Sequence, residues 1–275
     1  MEIPQQETPV ALTVAGSDSS SGAGLQADLK TFAAHDVYGL GAVTAVVAEI
    51  PGKVVAWEAV SPDLLARQME VVDEGFAIGA AKTGMLATPA GVETVSDFLE
   101  ARTGRFPVVV DPVMVASSGD VLLEPEAIDS YRRRLLPLAA VATPNLAEIA
   151  VLLNREVAEV VAMDMETAAR DFFDRYGCPV LVKGGHWQSG AEAVDLWWDG
   201  REWERFAAPR VIDVDTHGTG CTLSAAIAAN LSLGYPVIEA IRRAKRYITA
   251  AIIEAHTWSK PAAIRALNHF PKEVG

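Results

Sequence analysis

Asp215-Thr216-His217-Gly218-Thr219-Gly220-Cys221-Thr222 runs straight into Leu223-Ser224-Ala225-Ala226-Ile227-Ala228-Ala229. The stretch reads as a glycine-rich turn opening a helix. Its two glycines let backbone approach a ligand closely. The first N–H groups of a helix lack intrahelical partners, and the dipole is positive there, so the turn suits an anion. Cys221 falls in the first turn, where the same field favours a thiolate.

Upstream, short apolar runs alternate with helical patterns. Pro9–Val14 and Ala42–Ala48 read as strands, and helices are expected over Leu25–His35 and Leu64–Val72. Val108-Val109-Val110 leads into Asp111, Val141-Ala142-Thr143 into Pro144-Asn145, and Val180-Leu181-Val182 into Lys183-Gly184-Gly185. Continuous apolar strands interleaved with helices predict a mostly parallel, doubly wound α/β sheet in three layers. Ala193–Trp198, Asp199-Gly200 and Arg201–Phe206 predict a short antiparallel hairpin at one end of it. A last helix is expected near Val237–Ala255. Residues 1–9 read as a flexible lead and 10–275 as one domain.

Polar or glycine-rich residues follow strand after strand, and in open α/β sheets ligands bind at those carboxyl ends. Gly16-Ser17-Asp18-Ser19-Ser20-Ser21-Gly22-Ala23-Gly24 fits neither GxGxxG nor a Walker A loop, yet holds more glycine than a plain turn requires. Glu49 ends the second strand, where a carboxylate can meet paired N–H donors of a heterocycle. Asn145 and Glu148, three apart, suit a water-rich Mg²⁺ site and equally an N-cap with an acid in the first turn. Lys183 beside glycines can neutralise phosphate oxygens. His186 and His217 read as positioning donors rather than bases.

The 275 residues are 50% hydrophobic, without an uninterrupted membrane-length run. Lys plus Arg total 23 against 36 Asp plus Glu, a net charge of −13, so nucleic acid and anionic membranes are poor partners. Cys178 and Cys221 form no CxxC pair, pointing to a reduced, cytoplasmic setting, with Cys178 in the core. Ligand spacing for zinc and a G-x-S-x-G elbow are both missing.

Taken in order, the segments Ala11–Asp18, Gly22–Phe32, Lys82–Leu86, Val110–Met114, Thr143–Asn145, Lys183–His186 and Asp215–Ala229 resemble the bacterial hydroxymethylpyrimidine/phosphomethylpyrimidine kinases, within the ribokinase-like superfamily. The resemblance implies ATP-dependent phosphorylation of 4-amino-5-hydroxymethyl-2-methylpyrimidine to its monophosphate and then its diphosphate, for thiamine diphosphate. It implies ATP, Mg²⁺ and a homodimer. It places Glu49 on the amino group and ring nitrogen, with Gly16, Asp28, Met85 and Val115 around the substrate. Lys183, Asn145, Thr216 and His217 would serve the nucleotide, Glu148 and Asp111 the metal, and Gly218, Thr219 and Gly220 the anion hole. Cys221 stands where sugar kinases of the superfamily carry an Asp base and is expected to take the hydroxyl proton. The chain departs from the family's pattern at Glu49-Ile50-Pro51-Gly52-Lys53-Val54 and at His256–Pro261. Competing readings are a pyridoxal kinase of the same group and a non-catalytic pyrimidine-binding sensor.

Overall fold

The computed structural model describes residues 7–114, 122–185, 190–211, 217–261 and 263–272. The chain opens with β1 (Val10–Asp18), α1 (Gly24–Ala34), β2 (Tyr38–Ile50), β3 (Lys53–Ala59), α2 (Pro62–Gly75), β4 (Ala80–Thr83), α3 (Pro89–Glu100) and β5 (Val108–Val110). It continues with α4 (Ala127–Ser130), β6 (Val141–Ala142), α5 (Leu146–Leu153), α6 (Val157–Ala162), α7 (Met165–Tyr176) and β7 (Val180–Lys183). Then come β8 (Glu192–Trp198), β9 (Trp203–Pro209), α8 (Thr219–Ser232), α9 (Val237–Ile253), β10 (His256–Trp258) and β11 (Ile264–Ala266).

One sheet has the order β3-β2-β1-β4-β5-β6-β7-β8-β9. Its centre, β2 to β7, is parallel, while β3, β8 and β9 are antiparallel additions. Alternate residues of the strands face opposite layers. Leu12 and Val14 pack with Leu65, Met69, Phe98, Ile149 and Phe172 from α2, α3, α5 and α7. Ala11, Val109, Val141 and Leu181 pack on the other side with Phe32 of α1 and the apolar faces of α8 and α9. The expected three-layer α/β architecture is therefore present, and Cys178 lies in the first core as anticipated.

Three details differ from the sequence reading. β1 does not stop at Val14, because Ser17 and Asp18 stay paired with Val46 and Val47 beyond a register shift after Ala15. The unusual run after Glu49 is a tight turn through Pro51-Gly52, with Gly52 at φ +79°, which returns the chain as β3. Antiparallel strands thus close both ends of the sheet. The β8–β9 connection spans 199–202 rather than two residues, since Trp198 pairs with Trp203. The Asp199 carboxylate accepts from the N–H groups of Arg201 and Glu202 at 2.9 and 2.8 Å, which stabilises the longer loop.

Candidate active site

The carboxyl ends of β1, β2, β4, β5, β6 and β7 lie side by side, and a cavity of about 510 Å³ runs along them. Gly16, Glu49, Met85, Asp111, Asn145, Glu148, Lys183, His217, Gly218, Thr219, Gly220 and Cys221 all line it. Val115, Thr216 and His186 lie outside the described residues.

The middle of the cavity is an ionic cluster. Lys183 Nζ donates to Asp111 Oδ1 at 3.0 Å and stands 3.8 Å from Glu148 Oε2. Thr143 Oγ1 and Ser224 Oγ donate to the two oxygens of Asp111, at 3.2 and 3.0 Å. Burial opposes the charge on Asp111, but Lys183 and Lys82 outweigh it and hold the carboxyl below its ordinary value. Burial pushes Glu148 up to about 7 against the pull of Lys183, with Asp111 adding to the rise. Asn145 and Glu148 form the capping box of α5: Glu148 N–H donates to Asn145 Oδ1 at 2.9 Å and Asn145 N–H to Glu148 Oε2 at 2.7 Å. The cap and the site are one device, because capping fixes Glu148 where it faces Lys183.

The anion turn meets this cluster. Gly218, at φ +80°, precedes α8, whose N-terminus has no side-chain cap. A Cβ at Gly218 would lie 1.9 Å from the Gly22 carbonyl oxygen, and one at Gly220 would lie 3.1 Å from Lys183 Nζ. Glycine is needed here so that two loops and a lysine can converge. The N–H groups that open α8, its dipole and Lys183 together make a positive concavity.

Towards β2 the cavity is lined by Gly16, Val47, Glu49, Met85 and Val113. Asp18 organises this end. Its carboxylate accepts from the backbone N–H groups of Ser20, Gly22 and Ala23 at 2.6, 3.0 and 2.8 Å, and His217 Nε2 lies 3.1 Å from Oδ2. Burial raises its pKa, but His217 and the donors of the loop outweigh that and keep it low. Burial first, then Asp18, push Glu49 up to about 7, and His217 opposes them. The nearest ligand atoms of Asp18, Glu49 and His217 lie within 4.8 Å of one another. Towards β9 the lining mixes apolar Ala208, Pro209, Val211, Leu223, Ile248 and Ile252 with Asp195, Arg210, Lys245 and Thr249.

Two expectations need correction. Asp28 does not line the cavity. It is fully buried behind it, accepting from Thr13 Oγ1 at 2.6 Å and from Lys82 Nζ at 2.8 and 3.0 Å. An ammonium with no exposure holds it there, so it supports the site from below. Cys221 opens onto the cavity, yet the protein packed round it pushes the thiol up to about 11, with Lys82 working the other way. Desolvation outweighs the helix field that was expected to favour a thiolate.

Sequence reading missed Lys82, Asp195 and Lys245. Asp195 takes the Gly184 N–H at 3.0 Å and Lys245 Nζ at 2.7 Å, tying the turn after Lys183 to α9. A charge inside the buried strand Ala80–Thr83 was the available signal for Lys82. An acid among the apolar residues of Val194–Trp197 was the signal for Asp195.

A family profile described as phosphomethylpyrimidine kinase matches residues 18–263. The chain is 47% identical over 248 residues to a hydroxymethylpyrimidine/phosphomethylpyrimidine kinase of Rhizobium meliloti, covering 90% of this chain and 92% of that one. Among solved structures, a Bacillus subtilis pyridoxal kinase with bound ADP superposes at a TM-score of 0.82 and 35% identity, covering 95% and 98% of the two chains. A phosphomethylpyrimidine kinase of Clostridium difficile gives 0.73 at 35% identity, covering 88% and 99%.

Proposed function

The chain belongs to the phosphomethylpyrimidine kinase family, and from that premise we propose that it phosphorylates 4-amino-5-hydroxymethyl-2-methylpyrimidine and then its monophosphate, using ATP. The observation that carries the reading is the continuity of one cavity from Glu49 to Lys183 and the Gly218–Gly220 turn. It sets a carboxyl group suited to an aminopyrimidine beside a concavity suited to phosphate.

In this reading the hydroxymethyl oxygen bonds to the γ-phosphorus, the bond to the ADP oxygen breaks, and the hydroxyl proton passes to an oxygen of the transferred phosphoryl group and from there to solvent. Glu49, Met85 and Val113 hold the ring. Lys183 and the N–H groups that open α8 face the oxygens on which charge grows, and such positioning carries most of the acceleration in phosphoryl transfer. The end lined by Pro209, Ile248 and Ile252 takes the nucleobase, with Arg210 and Lys245 beside it. Cys221 stands by the hydroxyl mainly as a thiol, so it contributes contact more than base strength. Lys183 and Lys82 face the three carboxyl groups of Asp111, Glu148 and Asp28, one more than there are ammonium groups. That fits a divalent cation, and Asp111, Asn145 and Glu148 would hold Mg²⁺, which supplies charge neutralisation to the phosphates. This reading takes the protein to be a cytosolic homodimer, and the exposed Val46, Ile50 and Val55 of the β2–β3 hairpin are the apolar surface that supports the dimer. Among the described residues no helix is long and apolar enough to cross a membrane.

The test offers the hydroxymethylpyrimidine and pyridoxal separately with Mg²⁺ and ATP and reads products by mass spectrometry. Mono- and then diphosphorylated pyrimidine is the expected result. The TM-score of 0.82 to a pyridoxal kinase favours a second reading, vitamin B6 salvage. Pyridoxal phosphate as the sole product would establish it. Binding without any product would favour a sensor.

A further inference from the structure

Ser19 fastens the end of β2 to the end of β1. Its Oγ accepts from Glu49 N–H at 2.9 Å and donates to the Glu49 carbonyl at 2.7 Å, while its own N–H donates to Val47 O at 3.2 Å. The Glu49 carboxyl is thereby kept beside Asp18, within the 4.8 Å cluster that includes His217. Asp18 is fixed as a carboxylate by three backbone N–H groups and by Ser20 Oγ at 3.0 Å, besides His217. From the element on the other side, β3, Val54 is the residue opposite Glu49, and exposed Lys53 pairs with Ile50. Among the described residues, the charged groups that face Glu49 are therefore Asp18 and His217. Two carboxyl groups this close, one of them locked as the anion, do not both ionise readily.

The ligand's recognition edge has matching chemistry. A 4-aminopyrimidine presents one N–H donor and, next to it, one ring-nitrogen acceptor. An ionised carboxylate offers two acceptors, so one of its oxygens would confront the ring nitrogen lone pair. A carboxyl group with its proton offers one acceptor and one donor and satisfies both.

We infer that Asp18 acts through Glu49, keeping a proton on that carboxyl so that acid and pyrimidine share it in the complex. This rests on the pyrimidine kinase reading above. Asp18 is thus a positioning residue for ring recognition, besides ordering the glycine-rich loop. Glu49 resting near 7 agrees with the geometry. In the free protein Glu49 gives up its proton as pH rises through about 7, so binding must then recover one from solvent. Affinity should fall about tenfold per pH unit above that point.

The experiment is calorimetric titration of the whole protein with 4-amino-5-hydroxymethyl-2-methylpyrimidine between about pH 6 and 8.5, in buffers of different ionisation heat. Proton uptake should rise from near zero at the acid end towards one at the alkaline end. Glu49→Gln, whose amide offers the same donor and acceptor, should bind with an affinity independent of pH and with no uptake. Asp18→Asn should move the midpoint of uptake to lower pH by about one unit or more. Binding with no uptake anywhere in the range, or an unmoved midpoint in Asp18→Asn, would overturn the inference and leave the kinase reading intact. If Asp18→Asn does not fold, the wild-type uptake curve and Glu49→Gln still decide. Wild-type protein that binds no pyrimidine at all would instead overturn the kinase reading, and this inference with it.

Discussion

Lys82 Nζ lies 2.8 and 3.0 Å from the two carboxylate oxygens of Asp28, and neither side chain has any exposure. Their Cα atoms belong to β4 and α1, so the pair pins a helix to the sheet directly under the anion turn. Breaking a buried pair strands the survivor, at a cost of about 3–5 kcal/mol. Lys82→Met should lose about that much in urea unfolding, and the double variant Asp28→Asn/Lys82→Met should recover most of it. Equal losses in the single and double variants would mean that the pairing itself matters little.

Gly218 combines φ +80° with a Cβ position 1.9 Å from the Gly22 oxygen. Gly234 has φ +84° but open space around it. Gly234→Ala should therefore cost only about 1 kcal/mol of backbone strain. Gly218→Ala should also displace the start of α8 and lower turnover about a hundredfold, the scale of losing an oxyanion donor. Steady-state kinetics beside thermal melts separates the two effects.

With the Cys221 thiol at about 11, roughly one molecule in a thousand is thiolate at pH 8. Alkylation of Cys221 by iodoacetamide, followed by peptide mass spectrometry, should accelerate about tenfold per pH unit from 7 to 10 without a plateau. Turnover of Cys221→Ala should fall by less than about tenfold, in keeping with a small share for the base in phosphoryl transfer. A plateau in alkylation near pH 8 would restore the thiolate.

His269 Nε2 lies 3.2 Å from Thr222 Oγ1, and Tyr247 Oη donates to the His269 carbonyl at 2.7 Å, both contacts buried. The C-terminal segment so grips the residue after Cys221. Burial lowers the His269 pKa to about 4. The folded protein then binds fewer protons than the unfolded chain, so this contribution is intact above about 6.5 and fades as pH falls towards 4. His269→Gln should flatten that limb of the stability curve. It should cost about 1–3 kcal/mol at pH 7 if the Thr222 hydroxyl is left unpaired.

Much of the site could be read from the chain because it lies at strand ends. Asp111, Asn145 and Lys183 each follow an apolar run, and parallel topology gathers such positions on one edge. The capping box was visible in the spacing of Asn145 and Glu148, and the same atoms serve both of its readings. Other relations had no local signal. Lys82 and Asp28 are 54 positions apart, and only the fold makes them partners. β3 was missed because its core-facing residues, Val54, Trp57 and Ala59, are only half-buried and the apolar run Val54-Val55-Ala56-Trp57 shows no alternation. For Cys221 the sequence shows the sign of the helix field but not how completely the thiol is enclosed, and the enclosure decides.

α8 is buried without a break from Thr222 to Leu231 and touches α1, α9, β1, β4 and β5. Its alanines leave no slack between helix and sheet. The element that presents the positive turn is therefore seated against the sheet along its whole buried length. Any change of diet in this scaffold has to be written into the walls that face it, at the ends of β2 and β4, while the turn stays the same.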